Sequence, residues 1–177
     1  DSLLRLEAPA TAWLLAGTGG GARAVVAAAG VRGARVSVRS RDAERRRRFE
    51  EWVRSQGVGL APAAEGDVLI NTTPLGLNAG DHLPLALDEA PGARVAFDLV
   101  YHRGETAWVR LMRQEGLRVT DGRSMLVAQG AAAFTRGDQF KALPGYQVMA
   151  AHFHMGLVAR ERAAGGPGSN VPDLEVL

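Results

Sequence analysis

The sequence predicts an α/β protein with a doubly wound parallel sheet and helices on both faces of that sheet. Short apolar or β-branched runs alternate along the chain with longer segments of helical periodicity, as in β-α-β units with right-handed crossovers. The first apolar run also passes directly into glycines and then into an alanine-rich segment, as expected for the first strand-to-helix turn of such a sheet.

The individual elements follow from the periodicity of the apolar residues. We predict strands at 12–16, 34–38, 67–70, 94–99 and 117–120, and helices at 20–29, 42–56, 106–115 and 124–133. Asp42 can cap the second of these helices. Phe49, Trp52 and Val53 lie at helical spacing in it and are expected to face the sheet.

Glycines after the first strand predict a turn that binds a dinucleotide phosphate. A pyrophosphate needs unobstructed backbone N–H donors at a helix N-terminus. Gly17 allows the tight turn, Gly19 lets the backbone approach the phosphates, and Ala22 is small where the helix crosses the strand. The whole predicted turn comprises Gly17, Thr18, Gly19, Gly20, Gly21 and Ala22. For this motif alone, a glycine-rich turn without a ligand remains an alternative.

Arginines at the end of the second strand indicate which dinucleotide binds. An NAD-selective site has an acidic residue at this position, about 20 residues beyond the glycines. Here the position is occupied by Arg39, Ser40 and Arg41, and Arg45 follows at the helix start. Guanidinium groups make bidentate contacts with a 2′-phosphate, so the sequence predicts NADP. We expect residues 46–48, a run of arginines, to form a solvated helix face.

Composition excludes several classes of protein and site. The 177 residues are 46% hydrophobic and 23% charged, with no segment approaching the roughly 20 apolar residues of a membrane span. The absence of cysteine excludes disulfides and thiolate sites, and a cytoplasmic location is the default expectation. A net charge of +2 is too small to require a nucleic-acid partner. We predict no metal site, since His152 and His154 point in different directions on a helix.

Four parts of the chain are distinguished by periodicity and composition. We predict a lead-in segment at 1–11, a Rossmann-like NADP-binding domain at 12–145, a C-terminal helix at 146–163 and a flexible tail at 164–177. The C-terminal helix carries an apolar stripe and is therefore expected to dock on an apolar surface. A homodimer is one possibility.

Three later motifs make the prediction more specific. They read N-T-T-P-L-G at 71–76, D-L-V-Y at 98–101 and G-x-x-M-L-x-x-Q-G-A-x-A-F at 122–134. Together with the glycine turn and the arginines, they resemble the NADP-binding lobe of the shikimate dehydrogenase family, over roughly residues 12–136. Members of that family reduce 3-dehydroshikimate with NADPH, or run the reverse oxidation, in aromatic amino-acid biosynthesis.

The resemblance implies a role for each matching residue. The glycine turn would hold the pyrophosphate, and the adenosine 2′-phosphate would be held by Ser40, Arg41 and Arg45. The nicotinamide side would be formed by Thr72, Thr73, Leu99, Gly122 and Met125. Asp42 stands where the family usually has threonine, and this acid would weaken phosphate binding unless its side chain turns back to cap the helix.

The resemblance also implies that Tyr101 and Gln129 bind the hydroxyl or carboxylate groups of shikimate or 3-dehydroshikimate. Without the motifs, Tyr101 would be interpreted as a surface aromatic and Gln129 as an ordinary helix residue. Asn71 and Thr73 could likewise only stabilise the turn before Pro74.

No catalytic residue is assigned in these 177 residues. The family's lysine and aspartate pair comes from a substrate lobe that precedes the cofactor lobe, and that lobe is expected to be absent here. Lys141 does not match the family lysine, and Asp98 is expected to be structural, or to support residues of the site from behind, rather than to donate a proton. We therefore predict a chain that binds cofactor and turns over poorly. The alternatives are a non-catalytic dinucleotide-binding or regulatory module and, less consistent with the charge, an arginine-rich nucleic-acid binder.

Overall fold

The structure, a computed structural model, describes residues 11–101 and 104–123. These residues fall within one compact unit, Asp1–Ser124. The sequence predictions for the helices at 124–133 and 146–163, for most of the lead-in segment and for the tail lie outside the described residues. In the part that the structure describes, no helix is long and apolar enough to cross a membrane.

The predicted strands and the first three predicted helices are confirmed, with shifts of at most three residues at their ends. The strands are β1 (Ala12–Ala16), β2 (Arg35–Arg39), β3 (Val68–Asn71), β4 (Val95–Asp98) and β5 (Arg118–Thr120). The helices are α1 (Gly20–Arg32), α2 (Ala43–Ser55) and α3 (Ala107–Gln114).

All five strands are parallel and lie in the order β2-β1-β3-β4-β5. Beyond β2, Leu60 forms an isolated parallel bridge with Val36. The Val36 N–H donates to the Gly59 carbonyl at 2.9 Å, and the Ala61 N–H donates to the Val36 carbonyl at 2.9 Å. Leu60 thus takes the place of a further edge strand, so the sheet has the order of a doubly wound dinucleotide-binding fold whose third strand is reduced to one bridge.

Helices cover both faces of the sheet. On one face, Leu14, Leu69 and Ala96 form a buried cluster with Trp108 and Met112 of α3. Side chains alternate along a strand, so Leu15, which is also buried, points to the opposite face. That face is covered by α1 and α2, which contact β1 and β2.

Local signals in the sequence explain where the helices begin. The Asp42 carboxylate accepts from the Arg45 N–H at 3.0 Å and caps α2, as predicted. The Thr106 hydroxyl accepts from the Val109 N–H at 3.1 Å and caps α3. Phe49 and Val53 are buried as predicted, but Trp52 is only half-buried. The Arg23 guanidinium of α1 lies over its ring, 4.9 Å from the ring centroid.

Candidate functional site

The candidate site lies at the carboxyl ends of β1, β3 and β4. The chain leaves β1 toward β2 on one side, while β3 and β4 lie on the other, so the strand order reverses here and a ligand crevice is expected outside the carboxyl ends of β1 and β3. The loops after β1 and β3 are joined directly, since the Thr72 N–H and hydroxyl both donate to the Ala16 carbonyl, at 3.0 and 2.6 Å.

Gly17 occupies the tightest point of the glycine turn. Its φ of +107° is in the region that favours glycine, and its N–H donates to the Arg39 carbonyl at 2.9 Å. A Cβ at this position would lie 2.6 Å from the Thr72 hydroxyl and 3.0 Å from a Thr73 methyl. Only glycine therefore lets the loops after β1 and β3 approach this closely.

The next three glycines leave the N-terminus of α1 open. No side chain caps α1 at Gly19, and a Cβ at Gly19 or Gly20 would have no neighbour within 4 Å. A Cβ at Gly21 would lie 3.0 Å from Leu99, which places the end of β4 beside the turn. Uncapped N–H groups, the helix dipole and free space are what an anion requires.

Two of the three predicted 2′-phosphate residues, Arg41 and Arg45, are exposed at the start of α2, and Ser40 is half-buried. Arg41 is exposed and makes no ion pair within the described part of the chain. The Arg45 side chain is 71% exposed, with its Nε 3.9 Å from the Asp42 carboxylate. The Ser40 hydroxyl accepts from the Asp42 N–H at 3.3 Å. The Asp42 side chain does turn back to cap the helix, but it remains next to Arg45.

Residues 46–48 form the solvated face that the sequence predicts. Arg46 pairs with Glu50, Arg47 pairs with Glu44 and Glu51, and Arg48 pairs with Glu44, all within α2. Hydrogen bonds from Arg47 and Arg48 lower the pKa of Glu44. Arg39 is likewise engaged, with its Nε 3.0 Å from the Glu89 carboxylate. Arg39 and the arginines at 46–48 are therefore engaged in ion pairs, whereas Arg41 is in none within the described residues.

Asn71, at the end of β3, organises the turn that carries the two predicted threonines. Its side-chain oxygen accepts from the Thr73 N–H at 3.0 Å and from the Thr73 hydroxyl at 2.7 Å. Its amide group donates to the Leu75 carbonyl at 3.0 Å. Asn71 and Thr73 thus do stabilise the turn before Pro74, which was the alternative interpretation of both residues. The same hydrogen bonds fix Thr72 and Thr73 at the carboxyl end of β3.

Asp98 lies beneath this turn and is fully buried. Its carboxylate accepts from the Asn71 amide at 2.8 Å, the Val100 N–H at 3.0 Å and the Thr106 hydroxyl at 2.8 Å. Burial raises the pKa of Asp98, and the three donors oppose that shift. A structural role for Asp98 was expected from the sequence, but its partners were not. Asn71 and Asp98 each end a buried strand with a polar side chain, and this shared position in the sequence is the signal that could have predicted their contact.

The loop after β4 lies beside the end of β3 and beside Gly122, the first residue of the third motif. The Leu99 N–H donates to the Asn71 carbonyl at 2.9 Å, and the Gly122 N–H donates to the Val100 carbonyl at 3.2 Å. A Cβ at Gly122 would lie 2.8 Å from the Leu99 carbonyl carbon, which no side chain tolerates. Tyr101 is 50% exposed. Met125 and Gln129 lie outside the described residues.

The described residues hold no group of three His, Asp or Glu side chains that could bind a metal ion. A cavity of about 240 Å³ lies beside residues 76–84 and the start of α3, away from the glycine turn.

Curated proteins with similar sequences are shikimate dehydrogenases. One from Oleidesulfovibrio alaskensis is 38% identical over 129 residues, which is 68% of this chain and 46% of that protein. One from Shouchella clausii is 36% identical over 126 residues, which is 67% of this chain and 46% of that protein. No family model matches the chain. The chain spans about half the length of the curated relatives that it matches.

Solved structures agree with these relatives. The shikimate 5-dehydrogenase of Thermus thermophilus, in complex with NADP(H) and shikimate, is 31% identical with a TM-score of 0.66, covering 87% of this chain and 59% of that chain. The Aquifex aeolicus shikimate dehydrogenase is 26% identical with a TM-score of 0.63, covering 86% and 56%. These matches confirm the Rossmann-like fold and the resemblance to the shikimate dehydrogenase family, over about half of such a protein.

Proposed function

We propose that this chain is the NADP-binding part of a shikimate dehydrogenase. The observation that carries the proposal is the uncapped N-terminus of α1 at the same sheet edge as the exposed Arg41, which has no ion pair among the described residues. An anion site at a helix N-terminus and a guanidinium at the end of β2 match the pyrophosphate and the 2′-phosphate of NADP. The Thermus thermophilus relative, whose structure holds NADP(H) and shikimate, supports the same interpretation.

The proposed roles extend along the edge from β2 to β4. Ser40, Arg41 and Arg45 bind the 2′-phosphate at the adenosine end. The N–H groups from Gly19 to Ala22 bind the pyrophosphate. Thr72, Thr73 and Leu99 line the nicotinamide end, with Gly122 and Met125 closing over the ring. NADPH, when bound, supplies the hydride.

Substrate binding is proposed for Tyr101 and Gln129, which would hold hydroxyl or carboxylate groups of shikimate or 3-dehydroshikimate. The exposure of Tyr101 at the carboxyl end of β4 supports this role. A ketone that accepts a hydride also needs a proton donor, and we assign that donor to no residue of this chain. The reduction of 3-dehydroshikimate is proposed for the whole enzyme. The cytoplasmic location and the homodimer stay predictions.

The test is a titration of the chain with NADPH and with NADH, in which binding is measured by cofactor fluorescence or calorimetry. A charged hydrogen bond contributes about 1.5 to 3 kcal/mol, so we expect NADPH to bind about ten- to a hundredfold more tightly. Equal affinity for the two dinucleotides would contradict the arginine argument. Binding of neither would contradict the proposed function.

A further inference from the structure

We propose that Asp98 is a positioning residue for the nicotinamide end of the cofactor and that it acts through the side-chain amide of Asn71. The proposal rests on the proposed function, because it concerns the same site. It adds a buried group that touches neither cofactor nor substrate.

The Asp98 carboxylate is surrounded by donors from three different elements. Its Oδ1 accepts from Asn71 Nδ2 at the end of β3 and from the Val100 N–H in the loop after β4. Its Oδ2 accepts from the Thr106 hydroxyl, the cap of α3. An ionised carboxylate can only accept hydrogen bonds, so each of these groups must present a hydrogen to it.

This restriction fixes which way the Asn71 amide faces. With Nδ2 directed at Asp98, Oδ1 is left to accept from the Thr73 N–H and hydroxyl, at 3.0 and 2.7 Å. If the amide were rotated by half a turn, its oxygen would face the carboxylate and its NH2 group would face the Thr73 N–H. Both contacts would be repulsive, so Asp98 selects one orientation of Asn71, together with the Leu75 carbonyl, which also accepts from Nδ2 at 3.0 Å.

The selected orientation reaches the cofactor site in one further step. The Thr73 hydroxyl also accepts from the Leu75 N–H at 3.2 Å, which fixes the turn after β3. The Thr73 methyl packs next to Gly17: a Cβ added to Gly17 would lie only 3.0 Å from that methyl carbon. Through Val100, the same carboxylate holds the loop that carries Leu99 and Tyr101. One buried group therefore sets both loops that we assign to the nicotinamide.

Stability alone gives little reason to keep a carboxylate here. Burying a charge carries a desolvation cost, which is why the pKa of Asp98 is raised, and the three hydrogen bonds to the carboxylate serve first to offset that cost. The geometry that the carboxylate imposes on two loops is what an apolar side chain cannot supply.

The experiment compares two ligands on the full chain: NADPH, and adenosine 2′,5′-bisphosphate, which has the adenosine end but no nicotinamide. For Asp98→Ala we expect the affinity for NADPH to fall about tenfold relative to that for the bisphosphate. Asp98→Asn, whose Oδ1 can still accept from Asn71 and Val100, is expected to restore the wild-type ratio to within about twofold.

Asn71→Ala tests the link between Asp98 and Thr73. It should lower the same affinity ratio, and adding Asp98→Ala to it should lower the ratio by less than Asp98→Ala does alone, because the route through Asn71 is then already lost and only the contact with Val100 remains. An unchanged ratio in Asn71→Ala overturns the proposal even where Asp98→Ala does not fold. Equal weakening of both ligands overturns it as well, since that is the result of a general structural role.

Met112→Ala is the matched control. Met112 is buried in α3 and packs in the cluster with Leu14 and Trp108. Its truncation should lower stability and leave the affinity ratio unchanged; a shifted ratio would overturn the proposal by making the readout a measure of stability. Failure of the wild-type chain to bind either ligand would contradict the proposed function, whereas an unchanged ratio in every variant would contradict only the role of Asp98.

Discussion

The two ends of the candidate cofactor site are built in opposite ways. The adenosine side, residues 40–45, presents long charged side chains that are mostly exposed and held by few contacts. The nicotinamide side, residues 71–73 and 98–101, is held by short side chains whose hydrogen bonds reach back to buried groups. One end offers charge with freedom to move, and the other offers fixed geometry.

This difference indicates what each end contributes. Exposed guanidinium groups attract a phosphate strongly but are screened by salt and lose side-chain entropy on binding. Loops whose polar groups are already hydrogen-bonded to buried residues lose little entropy when a ligand arrives, because they are already ordered. We therefore expect affinity and dinucleotide selectivity to come mainly from the adenosine side, and orientation of the reactive ring from the nicotinamide side.

The largest expected effect is a loss of stability that differs between two glycines of the same turn. Gly17→Ala places a Cβ against Thr72 and Thr73 at a φ of +107°, and should cost about 2 to 5 kcal/mol of unfolding free energy. Gly19→Ala meets no neighbour within 4 Å and should cost less than about 1 kcal/mol. Denaturant unfolding measures both values. Gly19→Ala should instead weaken NADPH binding by about tenfold or more, because its methyl group enters the phosphate space.

The opposite pattern, in which Gly17→Ala leaves stability unchanged or Gly19→Ala leaves NADPH affinity unchanged, would contradict these assignments. A Gly17→Ala variant as stable as the wild type would show that the turn is not clamped by the loop after β3. Unchanged NADPH affinity in Gly19→Ala would show that phosphate does not approach the start of α1.

A smaller effect is expected on the adenosine side. Arg41→Ala should reduce the preference for NADP(H) over NAD(H) about ten- to a hundredfold, since the hydrogen bond to a charged phosphate is lost. The difference from wild type should shrink as salt is raised. Arg47→Ala is the control, because Arg47 is already paired with Glu44 and Glu51. A preference that falls equally in both variants would mean that only net charge matters.

The smallest expected effect concerns Asp42. Asparagine caps a helix about as well as aspartate, so Asp42→Asn should leave the unfolding free energy within about 0.5 kcal/mol of wild type. Removing the negative charge beside Arg45 should strengthen NADPH binding about two- to fivefold at low salt. Titration at two salt concentrations checks this, with NADH as the control ligand. Weaker NADPH binding in Asp42→Asn would mean that the carboxylate holds Arg45 in its binding position.

Short-range signals account for most of what could be predicted. The elements around Gly17, Asp42 and Thr106 follow from turn glycines, helix caps and periodicity, all of which act within a few residues. The bridge at Leu60 and the 3-10 turn at Leu87–Glu89 were not predicted. The bridge depends on how distant segments meet, and the periodicity of one segment cannot reveal it. The 3-10 turn is held by local hydrogen bonds, such as that from the Ala86 N–H to the Glu89 carboxylate at 3.1 Å, but it is too short to show a periodicity.

By itself, then, the sequence determined the doubly wound fold, the glycine turn and the arginines at the end of β2. Only the tertiary structure decided which polar groups are partners. Asn71 and Asp98 are 27 residues apart and meet because β3 and β4 are adjacent parallel strands in register. Arg39 and Glu89 pair, while Arg41 stays free of ion pairs within the described residues. The physical reason is that a hydrogen bond or ion pair depends on proximity, and proximity across the sheet is fixed by strand order.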